Sequence, residues 1–115
     1  MPPLPAFPSH VNNRGNIANS DGTELQFTIV DEVSLLQRRY ASGGDPRKTL
    51  VLQRIRFDNG AVEIRSCYYM LQTRPGQLPD WVWARSAQLA PIGDFVSLVR
   101  KAEDLGWFKG VLGEL

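Results

Sequence analysis

The chain has 115 residues, 43% of them hydrophobic and 22% charged, which indicates one globular domain with a core of its own. A formal net charge of +1 excludes a global electrostatic attraction to nucleic acid or membrane, and a single cysteine excludes an internal disulfide and a Cys/His zinc site. We therefore expect any anion-binding site to be a local patch, and we expect no metal or other cofactor.

The N-terminal segment, MPPLPAFPSH, contains four prolines and no Lys or Arg, so it lacks the charged start and apolar run of a signal peptide. No segment approaches the roughly 20 apolar residues of a membrane helix, so we expect a cytoplasmic protein without membrane contacts. Residues 1–13 are expected to form a flexible Pro-rich arm; a docking segment anchored by Leu4 and Phe7 is the alternative. The domain is expected to span 14–108, and 109–115 to form a tail.

Alternating apolar residues predict the first strands. After the turn sequence NSDG at 19–22, apolar residues from Leu25 to Ile29 alternate with polar ones and predict a strand over 24–30. Asp31 interrupts the series, so we expect a bulge or bend there, followed by more strand over 33–40; a short helix is the alternative for 33–40. Residues 14–18 are expected to pair with 24–30 across the turn.

The stretch KTLVLQRIRFDNGAVEIRSCYYM, at 48–70, predicts a β-hairpin, because Asn59 and Gly60 suit the two positive-φ positions of a type I′ turn. In that register Arg54 lies directly opposite Arg65, and Arg56 lies opposite Glu63. Since facing arginines repel each other, we expect an anion to sit nearby or to bind there.

The C-terminal third predicts a strand and a helix. Residues 81–86, WVWARS, alternate and place Trp81, Trp83 and Arg85 on one face; whether the tryptophans are core or surface stays open. An apolar stripe over 91–105 predicts a helix that ends at Gly106. The predicted fold is therefore α+β: a four- to five-stranded antiparallel β-meander with one C-terminal helix packed on one face. The other face is left to solvent or to a partner.

The sequence lacks a recognisable catalytic constellation. His10 is the only histidine and lies in the Pro-rich arm, and no base can be named for Cys67. The acidic pairs at 31–32 and 103–104 diverge in a strand or helix, so they form no carboxylate dyad. We therefore expect a non-enzymatic protein.

Arginine and aromatic residues are interleaved along the predicted strands. Arginine forks suit phosphates, and aromatic planes suit unstacked bases. This pattern predicts a nucleic-acid-binding sheet face made of Arg54, Arg56, Arg65, Arg74, Arg85 and Tyr69. The hypothesis requires these arginines to share the face that the helix leaves bare. A solvated sheet face, with arginines balanced by acids, is the alternative for Arg54, Arg56 and Arg65.

From Leu52 to Leu105 the order of features resembles the single-stranded-DNA-binding positive-cofactor transcription coactivators, which are related in fold to the Whirly proteins. The motifs are the hairpin IRFDNGAVEIRSCYYM, the loop RPG at 74–76, a strand and one helix. The resemblance implies a curved sheet, a homodimer formed through the helices, and a groove for single strands contacted by Arg54, Arg56, Arg65 and Arg74.

These observations predict a homodimeric, coactivator-like module that binds single-stranded DNA or RNA. The alternative is a protein-binding adaptor or assembly factor. In that case the bare sheet and the prolines at 2–8 dock a partner protein, and Arg54 and Arg65 pair with its carboxylates.

Overall fold

The computed structural model describes residues 4–37, 47–84 and 89–110, which form a five-stranded antiparallel sheet and one helix. The elements are β1 (Arg14–Ala18), β2 (Glu24–Gln37), β3 (Lys48–Phe57), β4 (Val62–Gln72), β5 (Asp80–Ala84) and α1 (Ile92–Asp104). The strands pair in chain order, and α1 packs on β2 and β3. The predicted α+β meander with one C-terminal helix is confirmed.

In β2 the alternation of side chains between the two faces of the sheet is reversed at Val30. Ile29 pairs with Ile55 of β3, but the next pair joins Asp31 to Arg54, so β2 carries one extra residue. Such a bulge switches the face to which every second residue points. Ile29 and Val33 therefore lie on opposite faces although both have odd numbers. The expected bulge near Asp31 and the continuation of strand beyond it, as far as Gln37, are confirmed.

The turn between β3 and β4 differs from the predicted type I′ turn. Gly60 has φ +93° whereas Asn59 does not have a positive φ, and the amide of Gly60 donates to Phe57 O while that of Phe57 donates to Ala61 O. This is the three-residue loop in which a type I turn is followed by a left-handed glycine. The loop is one residue longer than predicted, so every residue of β4 lies one position away from its predicted partner.

The register correction moves Arg65 to the other side of the sheet. Arg54 pairs with Ile64, Arg65 pairs with Gln53, and Glu63 pairs with Ile55. Residues directly opposite in a ladder share a face, and neighbours along a strand do not. The predicted pairing of Arg54 with Arg65 was therefore wrong, and so was that of Arg56 with Glu63.

We call the side of the sheet that α1 covers the helix face. Its core joins the strands to the helix through Val33, Leu50, Leu52, Leu98, Ala102 and Trp107. Gly106 has φ +82°, and the amide of Trp107 donates to Ala102 O, which is the Schellman arrangement. The predicted stop at Gly106 is confirmed, and Trp107 folds back into the core of the helix face.

We call the other side the open face. It carries one apolar cluster around Phe27 and Phe57 and a second around Val51, Cys67 and Trp81. Residues 4–13, expected to form a flexible arm, contact this face, and Phe7 packs against the second cluster. No helix in the described ranges is long and apolar enough to cross a membrane.

Candidate functional site

The structure separates the arginines that the sequence analysis placed on one face. Arg54 and Arg56 lie on the helix face, where Arg56 is exposed and the guanidinium carbon of Arg54 lies 5.7 Å from the ring centroid of Trp107. Arg74 is exposed in the loop between β4 and β5, and Arg85 lies outside the described residues. An arginine face shared by Arg54, Arg56 and Arg65 does not exist.

Two of the predicted site residues do come together on the open face. Arg65 and Tyr69 lie four residues apart on β4, so their side chains point to the same side. Trp83 of β5 pairs directly with Tyr69 and lies beside both of them. The open face therefore carries a smaller constellation than predicted, built from Arg65, Tyr69 and Trp83.

Arg65 is held by a buried glutamine. Gln53 is fully buried, and its Oε1 accepts hydrogen bonds from Arg65 Nε at 2.9 Å and from Nη2 at 2.6 Å. The same amide donates through Nε2 to Glu32 Oε2 at 2.6 Å. Because the amide has one donor end and one acceptor end, a carboxylate on one side and a guanidinium on the other fix its orientation.

Glu32 extends this polar chain to the N-terminal segment. Its carboxylate, whose side chain is only 6% exposed, lies 3.0 Å from His10 Nδ1 and accepts a hydrogen bond from the backbone amide of His10 at 3.2 Å. A buried carboxylate requires such partners, since an unpaired one would be costly. The chain His10–Glu32–Gln53–Arg65 thus fixes one edge of the guanidinium.

The Arg65 guanidinium lies over two aromatic rings. Its carbon lies 5.1 Å from the ring centroid of Phe27 and 5.6 Å from that of Trp83, both within cation–π range. Two of its five N–H groups bond to Gln53, so each terminal nitrogen keeps at least one free N–H. One free N–H on each terminal nitrogen can therefore donate to two acceptor atoms of the same planar or tetrahedral group, such as a carboxylate or a phosphate.

These residues line an open pocket of about 310 Å³. This volume lies at the lower end of the range for small-ligand sites. His10, Arg14 and Asn16 also line it, and Gly15 contributes a wall without a side chain. A Cβ on Gly15 would come within 2.5 Å of the Phe27 ring, so this close approach of β1 requires glycine.

The two tryptophans of β5 have different environments. Trp81 is buried, but against Phe7 on the open face and not against the helix. Trp83 is 44% exposed, which leaves much of its indole available for stacking. One tryptophan is therefore core and the other surface, a question that the sequence left open.

Other titratable groups near the pocket are poorly suited to catalysis. Burial raises the pKa of the Cys67 thiol, and the positive charge of Arg65 opposes that shift only partly. Burial likewise raises the pKa of the Tyr69 hydroxyl. Both groups are therefore neutral near pH 7, and neither is an activated nucleophile.

Sequence reasoning missed His10, Glu32, Gln53 and Phe27. One signal was available: Gln53 interrupts the otherwise apolar and arginine-bearing strand LVLQRIRF on a face that the alternation assigns to the core. A polar side chain at such a position needs buried partners. Nothing in the sequence indicated that those partners would be Glu32 and Arg65.

A second concavity lies on the helix face, between α1 and β4. This groove of about 420 Å³ is lined by Ser66, Leu89, Ala90, Ile92 and Phe95. Ile92 is 84% exposed and Phe95 is 43% exposed. Such a contiguous set of exposed apolar side chains is typical of interaction surfaces.

Comparison of the chain with protein-family models, with curated proteins and with solved structures finds no significant match.

Proposed function

We propose that the protein is a non-enzymatic module that binds single-stranded nucleic acid at the open-face pocket. The observation that supports this most directly is the Arg65 guanidinium, which lies over the rings of Phe27 and Trp83 with three N–H groups free. A base can stack on the exposed part of Trp83, while those N–H groups bond to a phosphate or to the Hoogsteen edge of a guanine. The cytoplasmic location stays a prediction from the sequence.

The corrected arginine positions change the expected salt dependence. The pocket is lined by Arg65 and Arg14, but Arg14 is paired with Asp58 at 2.9 Å. Arg65 then corresponds to about one neutralised phosphate, so the logarithm of the affinity should fall with the logarithm of salt with a slope near −0.7. An extended arginine face would give a steeper slope. The near-neutral net charge is consistent with such a small electrostatic contribution.

A fluorescence-anisotropy titration of a labelled oligonucleotide tests this function. Arg65→Ala should weaken binding about tenfold or more, since a bidentate contact contributes about 1–3 kcal/mol. Trp83→Ala should have a similar effect through the loss of stacking. Arg56→Ala is the matched control, because it removes the same charge from an exposed site on the helix face.

Equal losses for Arg65→Ala and Arg56→Ala would contradict a specific pocket. Absence of binding at about 50 mM salt would contradict the function itself. Arg65→Lys controls for a loss of binding that is caused by misfolding. It retains the positive charge but not the planar, two-pronged guanidinium. We expect its affinity to lie between those of the wild type and Arg65→Ala.

The groove on the helix face is a candidate surface for self-association. Leu89, Ile92 and Phe95 offer aliphatic and aromatic surface that suits an apolar protein segment. Ile64, two residues from Ser66 on the same face of β4, extends this surface and is 46% exposed. We propose that a second copy of the chain occupies the groove, giving the homodimer that the sequence suggested.

A further inference from the structure

The N-terminal segment occupies the part of the open face that adjoins the pocket. The His10 ring is stacked on Tyr69, with centroids 4.8 Å apart and planes inclined by 18°. Phe7 meets the same Tyr69 edge-on at 5.0 Å and Trp81 edge-on at 6.0 Å. The aromatic surface next to Trp83 is thus covered by two rings from residues 4–13.

Phe7 and His10 cover two aromatic side chains, Tyr69 and Trp81, that lie in a row with Trp83. Tyr69 lies directly opposite Trp83 in the ladder, and Trp81 lies two residues from Trp83 on the same side of β5. A flat heteroaromatic ring parallel to Tyr69 has the geometry that an unpaired base adopts on an aromatic platform. His10 therefore lies where the base next to the Trp83-stacked base would lie.

Few hydrogen bonds hold residues 4–10 on the open face, and they are distinct from the bonds that pair the strands. Trp81 Nε1 donates to Pro5 O at 3.0 Å, and His10 is held by Glu32. The amide of Asn12 donates to Ile29 O at 2.7 Å, which anchors the segment where it enters β1. Residues up to His10 can thus leave the sheet while Asn12 stays paired.

We propose that Tyr69 and Trp81 are two further base-stacking positions, and that Phe7 and His10 fill them until a strand of sufficient length displaces them. This inference rests on the proposed function, because it extends the same site along the sheet. Each stacked base strengthens binding about 5- to 150-fold, which is comparable to what a few ring contacts and hydrogen bonds supply. Since the segment is tethered, it competes at a high effective concentration.

Two ligands of different length distinguish binding in the pocket from binding at the added positions, Tyr69 and Trp81. Thymidine monophosphate, with one base and one phosphate, can fill only the pocket, whereas an oligothymidylate of about eight nucleotides is long enough to reach Trp81 as well. The full chain carrying Phe7→Ala should bind the longer ligand about tenfold more tightly than the wild type, because the Phe7 ring no longer covers Tyr69 and Trp81. Its affinity for the monophosphate should be unchanged, because the pocket is lined by other residues. Ala6→Ser, an exposed change in the same segment, is the control.

The indole N–H resonance of Trp81 gives a readout on the unmodified protein. That group is bonded to Pro5 O, so displacement of the segment must shift its signal in a ¹H–¹⁵N spectrum. We expect a shift with the longer ligand and none with thymidine monophosphate. This measurement decides the question even if the Phe7→Ala variant does not fold.

The outcomes distinguish the two proposals. Suppose that binding depends on Arg65 but the longer ligand does not shift the Trp81 signal. The proposal that Tyr69 and Trp81 bind further bases is then wrong, and the proposal of a binding pocket is retained. If the Phe7→Ala variant folds and binds both ligands like the wild type, the added positions are wrong as well. Absence of any Arg65-dependent binding overturns both.

Discussion

Gln53 is the residue on which the candidate site depends most. Its side chain is fully buried and links Glu32, which contacts the N-terminal segment, to Arg65, which lines the pocket. Arg65 could bond to water in its absence, but Glu32 would lose its shortest hydrogen bond in a place that water barely reaches. The stability of the domain and the position of the guanidinium are thus linked through one amide.

We predict that Gln53→Leu lowers the free energy of unfolding by about 2–3 kcal/mol, because hydrogen bonds to two charged groups are lost while the volume is nearly retained. Urea unfolding followed by tryptophan fluorescence measures the change. Gln72→Leu, at an exposed position of β4, is the control and should be nearly neutral. A Gln53→Leu protein as stable as the wild type would show that the polar chain does not stabilise the fold.

At the scale of the elements, the strands and the helix could be predicted because their periodicities are local properties of the chain. The register could not, because Asn59-Gly60 fits both a two-residue type I′ turn and the second half of a three-residue loop. The two turns differ by a single residue, and that residue decides whether Arg65 faces Arg54 or Gln53. The polar chain of the site joins residues 10, 32, 53 and 65, whose proximity depends on that register and on the bulge at Val30.

The loop geometry predicts opposite effects of two glycine substitutions. Gly60→Ala should lower the free energy of unfolding by about 1–2 kcal/mol, since φ +93° is unfavourable for a residue with a Cβ. Gly93→Ala should raise it by roughly 0.5–1 kcal/mol, because that glycine is helical and a Cβ meets nothing within 4 Å. Urea unfolding of both variants checks the signs. A neutral Gly60→Ala would favour a different turn and a different register.

At the scale of the whole molecule, the two faces of the sheet have different characters. The open face carries the pocket and the N-terminal segment, while the helix face carries α1 and an apolar groove beside it. The apolar stripe that predicted the helix includes Ile92, Phe95 and Val96, yet in the monomer these residues remain largely exposed. We propose that burial in a homodimer removes this apolar surface from solvent while leaving the pocket on the opposite face open.

We predict that the protein forms a dimer at micromolar concentration and that Phe95→Glu makes it monomeric, because a carboxylate cannot be buried in an apolar interface without a partner. Size-exclusion chromatography with light scattering measures the mass. Gln26→Glu introduces the same charge at an exposed position away from the groove and should leave the dimer intact. A monomeric wild type would leave the groove to a different protein and favour the adaptor.

If the proposed function is right, an unpaired base stacks on the exposed part of Trp83 while its phosphate bonds to Arg65. The most direct measurement is a ¹H–¹⁵N spectrum of the protein during titration with a short oligothymidylate, with the arginine Nε–H and tryptophan Nε1–H signals assigned by substitution. We expect the largest shifts at Arg65 and Trp83, and little change at Arg54, Arg56 and Trp107 on the helix face. Shifts concentrated on the helix face, or spread evenly over all arginines, would contradict the account.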